Sequence, residues 1–87
     1  MPQPIRSEKA DEMKFVELSG KTLSRMLSDD EMSAADLVTA NVHDDTICRI
    51  NQQGDIEVRR DGGWDVIGGL LGDFSDRLKR ETGLDWA

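Results

Sequence analysis

The clearest pattern of apolar and polar positions lies in residues 46–86, where short apolar runs lead into one amphipathic stretch. Residues 47–50 and 55–60 are rich in β-branched side chains, and the glycine-containing connection 51–54 between them predicts a β-hairpin. Apolar and charged positions alternate in 55–60, so we expect one face of this hairpin to point into a core and the other to meet solvent.

A turn at 61–63 follows, and residues 64–67 predict a third short strand. The first strand is less regular than the second, because Ile47 falls on the opposite face from Cys48 and Ile50. We therefore expect Ile47 to pack beneath another segment, or the strand to carry a bulge.

The amphipathic stretch predicts a helix near the C-terminus. Its apolar stripe at helical spacing consists of Leu70, Leu71, Phe74 and Leu78. Within this helix we expect Asp73 to pair with Arg77 one turn later. Gly83 is a suitable residue to end the helix, with Leu84 folding back on the stripe in a Schellman-type motif.

The N-terminal half gives a less definite pattern. Residues 1–12 are polar, include both prolines of the chain and show no periodicity, so we interpret them as a flexible tail ahead of a single small domain, residues 13–87. Residues 14–19 fit an extended segment and a helix equally well. We favour a helix over roughly residues 22–27, although Gly20 disfavours extending it backwards.

A helix start is predicted at Ser28, because Ser28 and Glu31 fit the capping-box pattern of a short helix that runs through Ala35. Residues 37–42 then alternate in a way that predicts an additional strand, paired with 46–51 to complete a four-stranded meander. A continuation of the preceding helix fits residues 37–42 nearly as well.

Together these segments predict an α+β fold. It comprises one or more short N-terminal helices, a three- to four-stranded antiparallel meander, and a C-terminal amphipathic helix packed on the sheet. Because helices cover only one side of such a sheet, we expect its other face and its two edges to be available to a partner.

Composition narrows the function classes. The chain has 87 residues, 18 of them acidic and 11 of them Lys or Arg, and its net charge of −7 disfavours nucleic-acid and anionic-membrane binding. A single cysteine favours a reducing compartment. No apolar run approaches the roughly 20 residues of a membrane span, and residues 1–12 lack a secretory signal. We therefore expect a cytoplasmic protein without membrane contact.

The sequence assembles no recognisable catalytic or metal-binding group. Residues 68–72 join a strand to a helix but contain no Lys or Arg to neutralise an anion, so we interpret them as a close crossing. His43 and Cys48 flank a turn without a third orienting group, and Cys48 fits a core position. The acidic run 29–31 lacks the calcium-loop pattern and is interpreted as a solvated helix start. We expect no catalytic residue, metal or cofactor.

Candidate partner-binding residues come from the tryptophans and their surroundings. Arg59 and Arg60 beside Trp64 are the local exception to the acidic balance, and a guanidinium there could stack on the indole. Trp86 would either anchor the C-terminal residues to the core or offer an exposed apolar contact. We interpret Trp64, Arg59, Arg60 and Trp86 as partner-binding candidates, with core packing as the alternative for both tryptophans.

The function predicted from these features is a small acidic protein-interaction module without catalytic activity, which binds a protein partner or a second copy as a homodimer. The alternative is a nucleic-acid-binding regulator of winged-helix type, with residues 22–27 and 33–40 as the helix–turn–helix and 46–60 as the wing. Its recognition segment would carry Asp36 and no Lys or Arg, which disfavours this alternative.

Overall fold

The structure, a computed structural model, describes residues 14–84 and 86. Its elements in chain order are β1 Phe15–Ser19, α1 Gly20–Met26, α2 Ala34–Thr39, β2 Ile47–Asn51, β3 Asp55–Arg60, β4 Gly63–Gly69 and α3 Phe74–Thr82. The strands form one four-stranded antiparallel sheet in the order β1-β2-β3-β4. The predicted α+β class, with a C-terminal helix on an antiparallel meander, is confirmed.

One face of the sheet carries the core. Alternate positions of the first three strands point to that side, and their buried apolar side chains are Val16, Leu18, Cys48, Ile50, Ile56 and Val58. Leu23 of α1 and Leu78 of α3 pack against them and are 0% and 1% exposed. The period-2 pattern read in 55–60 therefore describes β3 correctly, since Ile56 and Val58 both enter the core.

The fourth strand is not the one that the sequence favoured. Residues 14–19, which fitted two conformations, form β1, and Val16 pairs with Ile50 of β2. The prediction of a strand over residues 37–42 was wrong, because that region begins inside α2. Leu37 is the buried residue of α2, whereas Val38 is 77% exposed. The alternating apolar positions of this segment therefore do not form a strand face against the core.

The start of α2 also differs from the prediction. The Ser28–Glu31 pair does form, with the Ser28 N–H donating to Glu31 Oε1 at 2.9 Å, but it closes a turn and starts no helix. The capping box that begins α2 is Ser33–Asp36, in which each side chain accepts from the other residue's backbone N–H. Asp36 thus takes the role that glutamate or glutamine has in the usual capping-box pattern.

Gly20 begins α1 and does not interrupt it. Ser19 is the N-cap, its hydroxyl accepting from the Thr22 N–H, and the Gly20 N–H donates to the Thr46 carbonyl at 2.8 Å. A Cβ on Gly20 would lie 1.9 Å from the His43 carbonyl oxygen. Glycine is therefore required here for the close approach of two backbones.

The irregularity expected in the first hairpin strand lies elsewhere in the sheet. Ile47 neither packs beneath a segment nor follows a bulge, and its side chain is 48% exposed on the face away from the core. The bulge is in β4, where Ile56 pairs with Gly68 and Glu57 with Val66, leaving Ile67 unpaired between them. A bulge of this kind bends an edge strand and interrupts its pairing pattern.

The C-terminal helix α3 is shorter than its apolar stripe. Leu70 and Leu71 precede it, and Leu71 is 59% exposed, so only part of the stripe is helical. The helix ends as expected at Gly83, which has a φ of 73°. The Gly83 N–H donates to the Lys79 carbonyl in an αL motif, and the Leu84 N–H turns to the Thr82 hydroxyl, so the Schellman-type end is not formed.

Candidate functional site

The candidate site is the sheet face opposite the core, which we call the open face. The strand register assigns to it Phe15, Glu17, Ser19, Ile47, Arg49, Asn51, Asp55, Glu57, Arg59, Trp64 and Val66. Ile47 and Val66 expose 48% and 58% of their surface, and Glu17 and Arg59 are exposed as well. Within the described part of the chain, this side of the sheet thus has no covering layer.

Arg49 organises the centre of the open face. Its guanidinium carbon lies 3.7 Å from the centroid of the Phe15 ring and 4.2 Å from that of the Trp64 ring. Two rings can approach one planar group this closely only from different sides, so the guanidinium joins aromatic residues from β1 and β4. We call Phe15, Arg49 and Trp64 the aromatic–arginine stack.

A carboxylate fixes the stack in the plane of the sheet. Glu57, the direct partner of Arg49 on β3, accepts from Arg49 Nε at 3.0 Å through Oε1, which lies 2.9 Å from the second guanidinium nitrogen. The Glu57 side chain is 10% exposed. Because an arginine held by a carboxylate and two rings has few other rotamers, the stack is rigid before any partner arrives.

The structure separates the four residues singled out from the sequence. Trp64 and Arg59 are direct partners across β3 and β4 and share the open face. Arg60 points to the other side, where it donates to the Ala40 carbonyl and lies 3.8 Å from Asp65. Trp86 packs against the core and meets Phe74 edge-on, with ring centroids 6.3 Å apart. The cation on the Trp64 ring is Arg49, which takes the position expected for Arg59 or Arg60.

Sequence reasoning missed Arg49 and Phe15 for identifiable reasons. Arg49 lies between Cys48 and Ile50, which are both buried. Because successive side chains of a strand point to opposite faces, the sequence could have predicted that Arg49 lies on the face away from the core. Phe15 lies in the segment whose conformation the pattern left open. Only the pairing of β1 with β2 brings its ring near Arg49, and that pairing joins residues 28 to 36 positions apart in the chain.

A second arginine–glutamate pair lies on the core side of the sheet. Arg77 of α3 donates to both oxygens of Glu31, at 2.8 and 2.6 Å, and not to Asp73 as predicted. Arg77 also donates to the carbonyls of Met26 and Leu71, at 3.1 and 3.2 Å. The Glu31 side chain is 1% exposed, so the interpretation of this residue as part of a solvated acidic run was wrong.

Glu31 also explains the glycine-containing loop ahead of α3. The Leu71 N–H in this loop donates to Glu31 Oε2 at 2.6 Å, so an anion of the chain itself takes up that donor. The hydrogen bonds from Arg77, together with those from the Leu71 and Ser28 backbones, lower the pKa of Glu31 from 4.5 to about 2. Upstream, Gly68 belongs to β4, and a Cβ on it would lie 2.9 Å from the Met32 sulfur, so the end of this strand passes close to Met32.

Other reactive groups are not assembled into a site. Burial raises the pKa of the Cys48 thiol to about 11, which makes it a poor nucleophile. His43 is exposed, with Nε2 3.0 Å from Asn41 Oδ1. Among residues 14–84 and 86, no three His, Cys, Asp or Glu side chains are grouped in a way that could hold a metal ion.

A shallow recess adjoins the open face where β1 ends and β2 begins. It has a volume of about 280 Å³ and is lined by Glu17, Leu18, Ser19, Asp45, Thr46 and Ile47. Two carboxylates and one exposed aliphatic side chain suit a long basic side chain, whose methylenes would contact Ile47. The recess is the acidic end of the open face.

Comparison of the chain with protein-family models, curated proteins and solved structures found no match. In the part of the chain that the structure describes, no helix has both the length and the apolar character needed to cross a membrane.

Proposed function

We propose that this protein is a non-enzymatic interaction module that binds another protein through the open face of its sheet. One observation carries the proposal: the exposed apolar side chains of Ile47 and Val66 adjoin a rigid aromatic–arginine stack. Tryptophan and arginine are enriched among the residues that contribute most to protein–protein affinity. A preorganised surface loses little side-chain entropy on binding.

The charge and geometry of this face favour protein over nucleic acid. Its acidic residues Glu17, Asp55 and Glu57 outnumber Arg49 and Arg59, so phosphate binding would release few counterions. Both rings of the stack are occupied by Arg49, which leaves less aromatic surface for base stacking.

The winged-helix alternative gains no support from the structure. The only charged residue of α2 is Asp36, and the β2–β3 hairpin is paired on both sides, by β1 and β4, instead of projecting as a wing. We infer a cytoplasmic location from the single cysteine, since one buried thiol without a disulfide partner suits a reducing compartment.

The test is capture of a partner from nuclease-treated extract of the source cells, with matched substitutions on the bait. Val66→Asp places a charge on the open face, whereas Val38→Asp places the same charge on α2, where the side chain is 77% exposed. We expect a protein captured by the wild type to be retained by Val38→Asp and lost with Val66→Asp. Equal capture by both variants, with unchanged circular dichroism, would refute the open face as the binding surface.

A further inference from the structure

We propose that a second copy of this chain occupies the open face, forming a weak two-fold dimer in which the two sheets pack face to face. This inference rests on the proposed function and names its partner. A symmetric dimer requires a surface that complements itself. The open face meets that requirement in its charges and in the shape of its acidic end.

The open face is close to neutral, so two copies can approach through it with little repulsion. The chain carries a net charge of −7, but the three acidic and two basic residues of the open face leave it with only −1. Most of the acidic excess therefore lies on other surfaces. At physiological ionic strength charges more than about 8 Å apart are largely screened, so the local balance decides whether the faces can meet.

The strand order selects one orientation of the two-fold axis. An axis parallel to the strands lays β1 of one copy over β4 of the other, and β2 over β3. Arg49 then faces Glu57 of the second copy, because the two residues occupy the same row of the sheet. An axis perpendicular to the strands would instead lay β1 over β1 and place Glu17 against Glu17, which is unfavourable.

The recess at the acidic end gives this arrangement a specific contact. Extending the β2–β3 register by one pair places Arg59 in the row of Ile47. With β3 of the second copy over β2, Arg59 of that copy lies over Ile47, inside the recess that Glu17 and Asp45 line. Each copy thus offers one exposed arginine and one acidic recess. The two-fold axis places the arginine of each copy in the recess of the other.

Pairing through the sheet edges is less favourable. The symmetric register of two β1 edges puts Glu17 opposite itself, and like charges directly opposite destabilise a strand pair. The β4 edge is interrupted by its bulge at Ile67. The open face is therefore the better surface for a second copy.

The size of the face predicts a weak complex. Four strands at a spacing of about 4.8 Å, each with about five residues at roughly 3.3 Å, cover about 320 Å². A standard stable interface buries about 800 Å² of accessible surface per partner, which is more than a patch of this planar extent is expected to bury. We therefore expect a dissociation constant on the order of 10–100 µM.

The first experiment is sedimentation velocity of the full chain from about 5 µM to about 1 mM, which spans that range. We expect a reversible shift from monomer to dimer that Val38→Asp preserves and that Val66→Asp weakens by about tenfold or more. A wild-type chain that stays monomeric throughout would overturn the proposal. Dimers equally sensitive to both variants would also overturn it, since that would place the interface elsewhere.

The second experiment tests the orientation by charge reversal. Glu17→Lys places a cation against Arg59 of the second copy, and Arg59→Glu places an anion against Glu17. We expect each variant alone to lose self-association by about fivefold or more, and their equimolar mixture to recover it, because both contacts are then attractive. A mixture no stronger than either variant alone would overturn the two-fold geometry.

The two proposals can fail separately. If the wild type is monomeric at high concentration while a foreign protein is still captured through Val66, the interaction module stands and the second copy is excluded as its partner. If the chain dimerises through the open face and captures nothing else, the second copy is the partner itself.

Discussion

In the part of the chain that the structure describes, two arginine–glutamate pairs look alike but differ in what they join. Arg77 contacts both oxygens of Glu31 and two backbone carbonyls, and so connects α3 to the end of α1, to Glu31 and to the loop ahead of α3. Arg49 contacts a single oxygen of Glu57 on the adjacent strand and stacks on two rings. The first pair therefore holds distant segments of the chain together, whereas the second fixes side chains on the open face.

The difference teaches that similar burial does not imply a similar role. The arginine side chains are 20% and 22% exposed, so exposure alone does not distinguish them. The positions of their partners do: Glu31 is 46 residues from Arg77, whereas Glu57 is 8 residues from Arg49, within one hairpin. We therefore expect the core-side pair to dominate stability and the open-face pair to dominate binding.

The largest effect is expected from Arg77→Met, which keeps an unbranched apolar stem and removes the charged guanidinium. It leaves Glu31 and the Met26 carbonyl without their charged donor, and breaking a buried pair costs about 3 kcal/mol or more in the free energy of unfolding. Urea denaturation followed by circular dichroism measures this cost. Arg25→Met, on the exposed side of α1, is the matched control, and an equally small change in both would show that the pair contributes little.

The next effect is the response of the same pair to acid. The folded-state pKa of Glu31, about 2, lies below its ordinary value of 4.5, so the stabilisation is complete above pH 4.5 and is lost as pH falls towards 2. We expect it to be smaller than the Arg77→Met effect, because protonated Glu31 still accepts hydrogen bonds. The measurement is the difference in unfolding free energy between wild type and Glu31→Gln, which should shrink across that interval. A constant difference would contradict the lowered pKa.

The sequence supports the arrangement of the sheet and α3 better than it supports either arginine pair. The turns at Gly54 and Gly63 were readable because their positive φ values, 90° and 136°, favour glycine. The alternation of β3 was readable because one face is buried. These are local signals, which a short window of sequence contains.

The rest depends on contacts between distant segments. Pairing with β2 makes residues 15–19 a strand. The hydrogen bond from Arg77 of α3 removes Glu31 from solvent. The candidate site shows the same limit: Trp64 was identified from its residue type, but the arginine stacked on it comes from another strand. No spacing within the chain indicates such a contact before the sheet order is known.

A smaller effect is expected from Arg49→Met, the counterpart of Arg77→Met on the open face. It removes a cross-strand ion pair and the two cation–ring contacts, which together contribute about 1 kcal/mol to the free energy of unfolding at a partly exposed site. Trp64 should also lose its fixed environment, visible as a change in tryptophan fluorescence of the folded protein. A loss of stability as large as that of Arg77→Met would remove the distinction between the two pairs.

The smallest effect on stability, and the sharpest on binding, is expected from Val66→Asp. Val66 is 58% exposed on an edge strand, so the charge stays solvated, and its position opposite Glu57 on β3 should lower the free energy of unfolding by less than about 1 kcal/mol. Self-association through the open face should nevertheless weaken by about tenfold or more, because the new carboxylate faces Glu17 of the second copy in the proposed dimer. Urea denaturation measures the change in stability, and sedimentation velocity on the same sample measures the change in self-association. If stability fell by several kcal/mol, Val66 would belong to the fold and the loss of binding would carry no information about the surface.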